Sequence, residues 1–179
     1  SMPFALQALD SATLARQLAH KLGGELLYLS SPLLADSAEA AEILRSQRDI
    51  RLTLEAARQA DVALLGIGNL EPDTAGFVKA GSITAAELAA LTAAGAVGDM
   101  AGQIFSLSGS LHPSSYNQRV IGITLAELKQ IPTVIAAAAG PEKATAILGA
   151  LRTGVINVLC TDDRAASEVL ALSTPTATD

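Results

Sequence analysis

Helical patterns that alternate with short apolar runs predict an α/β layer fold built on a largely parallel sheet. Two observations carry that reading. The run at 62–68 is continuous rather than alternating, as a strand buried on both faces is, and further apolar strands are expected at 133–139 and 155–160. The last two lead straight into helix-opening signals, Gly140-Pro141 and Thr161-Asp162. Composition agrees: of 179 residues half are hydrophobic but only 3% aromatic, with no Trp, so the core is aliphatic.

In chain order, Ser1-Met2 reads as a scar left by tag removal, and residues 1–9 form a tag remnant and lead-in. The main domain is expected over 10–172. Asp10-Ser11 offers a cap, and Leu14, Leu18 and Leu22 follow at helical spacing before a Gly23-Gly24 stop. A short strand is expected at 26–29. Asp36-Ser37 caps one helical region reaching about Ala60, with Ile43, Leu44, Leu54 and Ala57 inward and Arg45, Arg48 and Arg51 as a solvated stripe or, alternatively, a phosphate-binding one.

The buried run at 62–68 comes next, then a loop at 71–79 and a helix at 85–94 capped by Thr84. Gly95, Gly98 and Gly102 mark a glycine-rich bend carrying Asp99. Strands are expected at 104–107 and 119–123, separated by a polar loop at 108–115. Thr124 starts a short helix that ends before Pro132. The strand at 133–139 leads into a helix with Ala144, Ile147, Leu148 and Leu151 on its inner face, then the strand at 155–160 and a last helix to Leu172. The tail, 173–179, lacks apolar periodicity and is expected to be flexible.

Several function classes are excluded at this level. Eighteen acidic against 12 basic residues give a net charge of -6, which opposes gripping nucleic acid by this piece alone. One cysteine, Cys160, allows neither a disulfide framework nor a four-Cys zinc site. The longest unbroken apolar stretch, 134–139, is far short of the ~20 residues of a membrane span. A soluble, cytoplasmic domain without metal or cofactor is the expectation. No nucleotide-binding glycine motif and no nucleophile elbow is present.

In parallel sheets, ligands gather where strand ends lead into helix N-termini, which selects 66–69, 140–143 and 161–163. Gly68 closes the first apolar run. The Gly140 turn would place helix N–H groups and Lys143 around an anion; an exposed Lys143 held by Glu142 or solvent fits the same spacing, as does an amine nucleophile. Asp99, between Gly98 and Gly102, suits either a carboxylate accepting sugar hydroxyls or a plain turn. Asn117 and Arg119, two apart on a supposed strand, would share a face, with Arg119 clamping phosphate or making a salt bridge.

Four segments in order, DVALLGIG (61–68), GAVGDMAGQIF (95–105), NQRVIGI (117–123) and IPTVIAAAAGPEKATAILGALRTGVINVLCTD (131–162), resemble the effector-binding domain of SorC-type, DeoR-like bacterial transcriptional regulators. The resemblance spans about 10–172. It implies a Rossmann-like three-layer α/β/α fold similar to glucosamine-6-phosphate deaminase and ribose-5-phosphate isomerase, used for sensing rather than turnover. It implies a phosphorylated sugar as ligand, with Asp99 reading hydroxyls and Lys143 contacting the ligand. A homo-oligomer, dimer or tetramer, would transmit the signal, and DNA would be bound through a helix-turn-helix module upstream. The strand and phosphate loop that normally open such domains are not found, which suggests truncation at the N-terminus. The rival from another class is a sugar-phosphate isomerase, deaminase or Schiff-base lyase on the same fold.

Overall fold

The computed structural model describes residues 11–71 and 83–174, and the chain divides into two units, Ser1–Ser30 and Ser31–Asp179. The lead-in at 1–9, the loop at 71–79 beyond Glu71 and the tail beyond Thr174 lie outside the described residues.

The first unit contains α1 (Ser11–Leu22). It stops at Gly23, whose φ of 67° is the left-handed conformation that ends helices, while Gly24 N–H donates back to Ala19 O at 2.9 Å. Residues 26–29 form no strand. An apolar run becomes a strand only where a neighbour takes its backbone groups, and Leu27 and Tyr28 stand exposed.

In the second unit the single helix expected to 60 is two: α2 (Ala38–Ser46) and α3 (Arg48–Arg58). Ser37 caps α2 by accepting from Ala40 N–H. The break has a local cause. Ser46 Oγ turns back onto Ile43 O, and Gln47 swings to an extended backbone that serves both as C-cap of α2 and N-cap of α3. Leu54 is buried but Ile43 is 62% exposed. Arg45 leaves the solvated stripe: its guanidinium donates to the carbonyls of Gln118 and Val120.

Two three-stranded sheets follow. The first is parallel, ordered β1 (Val62–Gly66), β5 (Thr133–Ala137), β6 (Val158–Cys160). The second is antiparallel, ordered β2 (Gly68–Asn69), β3 (Ala96–Met100), β4 (Gln103–Ser106). The run at 62–68 therefore serves both sheets, the chain passing from one to the other at buried Ile67. Burial on both faces of β1 does not hold: Val62 and Leu64 are each 53% exposed while Ala63 and Leu65 pack on the core. β6 is shorter than expected, and Val158 and Cys160 are exposed.

The glycine-rich bend is the hairpin of β3 and β4, and Ala101 (φ 50°) and Gly102 (φ 80°) make its two-residue turn. Its glycines serve close packing. Helix α7 (Ala144–Arg152) lies on β3 so tightly that a Cβ at Gly98 would sit 2.7 Å from Ala146 Cβ, and one at Gly149 would sit 2.8 Å from Val97 Cγ2.

The strand expected at 119–123 is not one. Residues Tyr116–Arg119 form the short helix α5, and beyond it Val120 makes only an isolated bridge to Leu34. The two-residue periodicity between Asn117 and Arg119 therefore gives them no common strand face. Helices α4 (Ala85–Ala93) and α6 (Leu125–Leu128) each open with a reciprocal capping box, Thr84 with Glu87 and Thr124 with Glu127. Pro141–Lys143 forms a 3-10 turn before α7, on which Leu151 is half-exposed rather than inward. Asp162 caps the last helix, α8 (Asp163–Ser173). One core joins Val134, Ala136, Ile147, Met100 and Phe105; a second joins Leu88, Leu91, Ile104 and Tyr116.

Candidate functional site

The antiparallel register sets Asp99 opposite Gly68. Its carboxylate lies over that glycine so closely that a Cβ at 68 would be 1.9 Å from Oδ1. A side chain at 68 would thus displace the carboxylate from its place over β2. One residue earlier, Lys143 Nζ donates to Ile67 O at 2.9 Å. The 3-10 turn after β5 and the β2–β3 pairing therefore bring a cation and an acid to the same two residues, 67 and 68.

Burial pushes the Asp99 carboxyl up to about 7; the Gly102 N–H and the Lys143 charge oppose that shift without overcoming it. Asp99 thus titrates near neutrality. Tyr116 is held above its ordinary value by burial and then by the charge of Asp99, with Arg119 opposing. The phenol is therefore within electrostatic reach of the carboxylate.

Lys143 also lines an open cleft of about 650 Å³ at the carboxyl ends of β5 and β6, together with Ala137, Ala139, Cys160, Thr161 and Asp162. The turn at Gly140 differs from the expected anion cradle. Gly140 N–H donates to Asp162 Oδ2 at 2.5 Å, while Asp162 Oδ1 accepts from Ala165 N–H at 2.8 Å. These N–H groups hold the Asp162 carboxyl below its ordinary range. Glu142 folds back over the turn, so that a Cβ at Gly140 would lie 2.3 Å from its Oε1. Two carboxylates flank the helix entrance, and one of its N–H groups is already used. A phosphate there would meet like charge, whereas hydroxyl groups would find acceptors.

Asn117 and Arg119 lie elsewhere. Buried Asn117 accepts from Ile104 N–H at 2.8 Å and donates to Ile104 O and His112 O, each at 2.9 Å, fastening β4 to the segment before α5. Its amide is spent on backbone. Asn117→Ala is expected to cost about 3 kcal/mol in urea denaturation, because it strands buried donors and acceptors; a cost under about 1 kcal/mol would contradict this role. Arg119 donates through Nε to Ala35 O at 2.8 Å and lines a separate pocket beside Glu87.

The pattern puts Asp162 at a candidate strand end and cap but does not reveal its hold on Gly140 N–H, and nothing in it marks Tyr116. Their partners lie far along the chain, and no local pattern announces them. Among the described residues, no group of three His, Cys, Asp or Glu could hold a metal. None of the helices among them is long and apolar enough to cross a membrane.

An α/β unit that presents a half-buried acid, a lysine and an open cleft at the carboxyl ends of its strands has the make-up of a small-molecule-binding domain. Comparison with known proteins is specific: residues 2–171 match the family model described as "Putative sugar-binding domain", and the chain belongs to that family. Transcriptional regulator LsrR of Enterobacter sp. (strain 638) is 37% identical over 147 residues, 81% of this chain and 46% of that protein. LsrR of Escherichia coli (strain K12) is 36% identical over 144 residues, 79% of this chain and 45% of that protein. The chain thus spans about half the length of the curated relatives it matches.

The solved "Putative Sugar-Binding Domain of Transcriptional Repressor from Vibrio fischeri" superposes with a TM-score of 0.83 at 37% identity, covering 91% of this chain and 65% of that one. The full-length sorbitol operon regulator SorC from Klebsiella pneumoniae gives 0.79 at 27% identity, covering 89% and 51%. The expected α/β, Rossmann-like class and the SorC/DeoR resemblance agree with these findings. These relatives are regulators of transcription, which sets the isomerase, deaminase and lyase reading aside.

Proposed function

We propose that this chain is the effector-sensing part of a cytoplasmic transcriptional regulator and that its ligand is a phosphorylated sugar. The observation carrying this reading is the convergence of Asp99 and Lys143 on residues 67 and 68, beside the cleft at the ends of β5 and β6. A carboxylate accepts from two neighbouring hydroxyls, and a lysine donates to a hydroxyl or carbonyl oxygen, so the pair reads a polyol. The acidic surroundings of Gly140 favour an orientation with hydroxyls toward Asp99 and Lys143 and phosphate away from Glu142 and Asp162.

Sensing is a population shift. The ligand favours one arrangement of a homo-oligomer, dimer or tetramer, and its differential affinity alters how a DNA-binding module elsewhere in the longer protein meets its operator. The acidic charge of this chain assigns DNA contact to that other module.

The test is thermal unfolding against a panel of aldose and ketose phosphates and their parent sugars. A true effector at a hundredfold excess over its Kd stabilises the chain by about 2.7 kcal/mol. The phosphate should be necessary, and the ligand should be recovered unchanged. No shift with any member of the panel would overturn the reading.

A further inference from the structure

A second pocket, of about 260 Å³, opens between α4 and the segment from His112 into α5, and it shares no lining residue with the cleft beside Lys143. One wall is apolar, made by Ala90, Leu91 and Ala94; the other carries Ser114 and Arg119. Two polar groups here have hydrogen-bonding capacity left over. Ser114 Oγ is buried and has no hydrogen-bond partner among the described residues. The Arg119 guanidinium, with its side chain 23% exposed, uses only Nε, on Ala35 O. Its Nη1 faces Glu87 Oε1 at 3.8 Å, beyond hydrogen-bond length.

Glu87 cannot easily close that gap, because its other oxygen accepts from both Thr84 N–H and Thr84 Oγ1 in the capping box that opens α4. A half-buried guanidinium edge thus borders a cavity that has one aliphatic wall and is completed by Glu87, His112, Ser114, Ser115 and Tyr116. Buried donors without acceptors are costly, and the guanidinium fork matches a carboxylate in shape and charge.

We propose that this pocket is a second ligand site, taking a small organic carboxylate with an apolar body. The carboxylate lies on the Arg119 Nη edge, and the apolar body lies against Ala90, Leu91 and Ala94. The pocket's volume and aliphatic wall match such a molecule better than a free inorganic anion, which would leave that wall bare. His112 completes the frame without competing for the ligand: Ser114 N–H donates to its Nδ1, and its Nε2 faces Ala94 O at 3.2 Å. Glu87 is the built-in competitor, since its charge faces the same guanidinium.

Benzoate is the probe and benzamide its uncharged isostere, with binding followed by amide chemical shifts of the whole chain. Benzoate is expected to bind saturably in the millimolar range and to perturb Ala90, Leu91 and Ser114 through Arg119; benzamide is expected to bind about tenfold more weakly or not at all. Glu87→Gln preserves the capping box and should tighten benzoate about threefold or more, because it removes the competing charge. Ala90→Trp, at an exposed helix position, should fill the pocket and abolish binding. Equal affinity for benzamide, absence of saturable benzoate binding, or benzoate affinity unmoved by Glu87→Gln would each overturn the proposal. The outcome does not depend on whether sugar phosphates bind the cleft.

Discussion

Phe105→Ala is expected to destabilise the second unit by about 3–5 kcal/mol, a large share of the ~5–15 kcal/mol that holds a typical domain together. Phe105 is fully buried on β4, directly across from Gly98 on β3. Its ring carbons come within 3.1 Å of where side chains at both Gly98 and Gly149 would begin. The phenyl group thus fills the space that two glycines open between the hairpin and α7. Truncation leaves a void in a cluster in which, among the described residues, Phe105 supplies the one aromatic ring. In urea denaturation the midpoint should fall while the slope stays constant. A loss below about 1 kcal/mol would show that the helix and hairpin do not depend on this contact. The site should suffer with the core, since β3 carries Asp99 and α7 follows directly from Lys143.

Asp99→Asn is expected to stabilise the unliganded chain at alkaline pH and to weaken its ligand binding. The folded-state carboxyl titrates at about 7, above its ordinary value of 3.8. Between those values the folded chain holds a proton that the unfolded chain has released. The contribution of Asp99 to stability therefore falls as pH rises from about 4 to 7, and it stays at its lower value above that window. Asparagine, neutral throughout, removes this dependence. The variant should exceed the parent by roughly 2–3 kcal/mol at pH 8, a discounted conversion of the shift because the side chain is partly exposed. That advantage should vanish near pH 4. Sugar-phosphate affinity should fall about tenfold or more at pH 8, where the parent presents a full carboxylate to the hydroxyls. Identical pH profiles for the two proteins would contradict the burial of this group. An acid that costs stability until a ligand arrives is what the proposed binding role of Asp99 requires, and a plain turn would not.

Much of this arrangement was legible in the residues. Ser37, Thr84, Thr124 and Asp162 stand at the expected helix starts, and each accepts from a backbone N–H of the first turn. The parallel strand at Thr133 and the turn at Gly140 also stand where the pattern set them. What escaped depends on partners distant in sequence. Gly95, Gly98 and Gly102 read as a bend because glycine weakens strands, yet Gly98 is small to admit α7, which arrives some fifty residues later. Asn117 and Arg119 alternate like strand residues, but four residues of helix place one in the core and the other on a separate pocket. Val62 and Leu64 are apolar and exposed, because a continuous apolar run does not reveal what covers each face.

Asp99 and Lys143 were singled out on separate grounds, one for its small neighbours and one for its helix entrance. Their convergence on residues 67 and 68 arises only from the β2–β3 register and the 3-10 turn. The carboxylates at Gly140 were equally hidden, since Asp162 comes from the next strand's end and Glu142 adjoins the turn without any sign of folding over it.

The decisive measurement is a crystal structure of this chain with the sugar phosphate that stabilises it most. The account predicts ligand hydroxyls within hydrogen-bond distance of the Asp99 carboxylate and of Lys143 Nζ, the latter drawn away from Ile67 O, with the phosphate held clear of Glu142 and Asp162. A ligand seated elsewhere, with Lys143 still on Ile67 O and Asp99 untouched over Gly68, would contradict it.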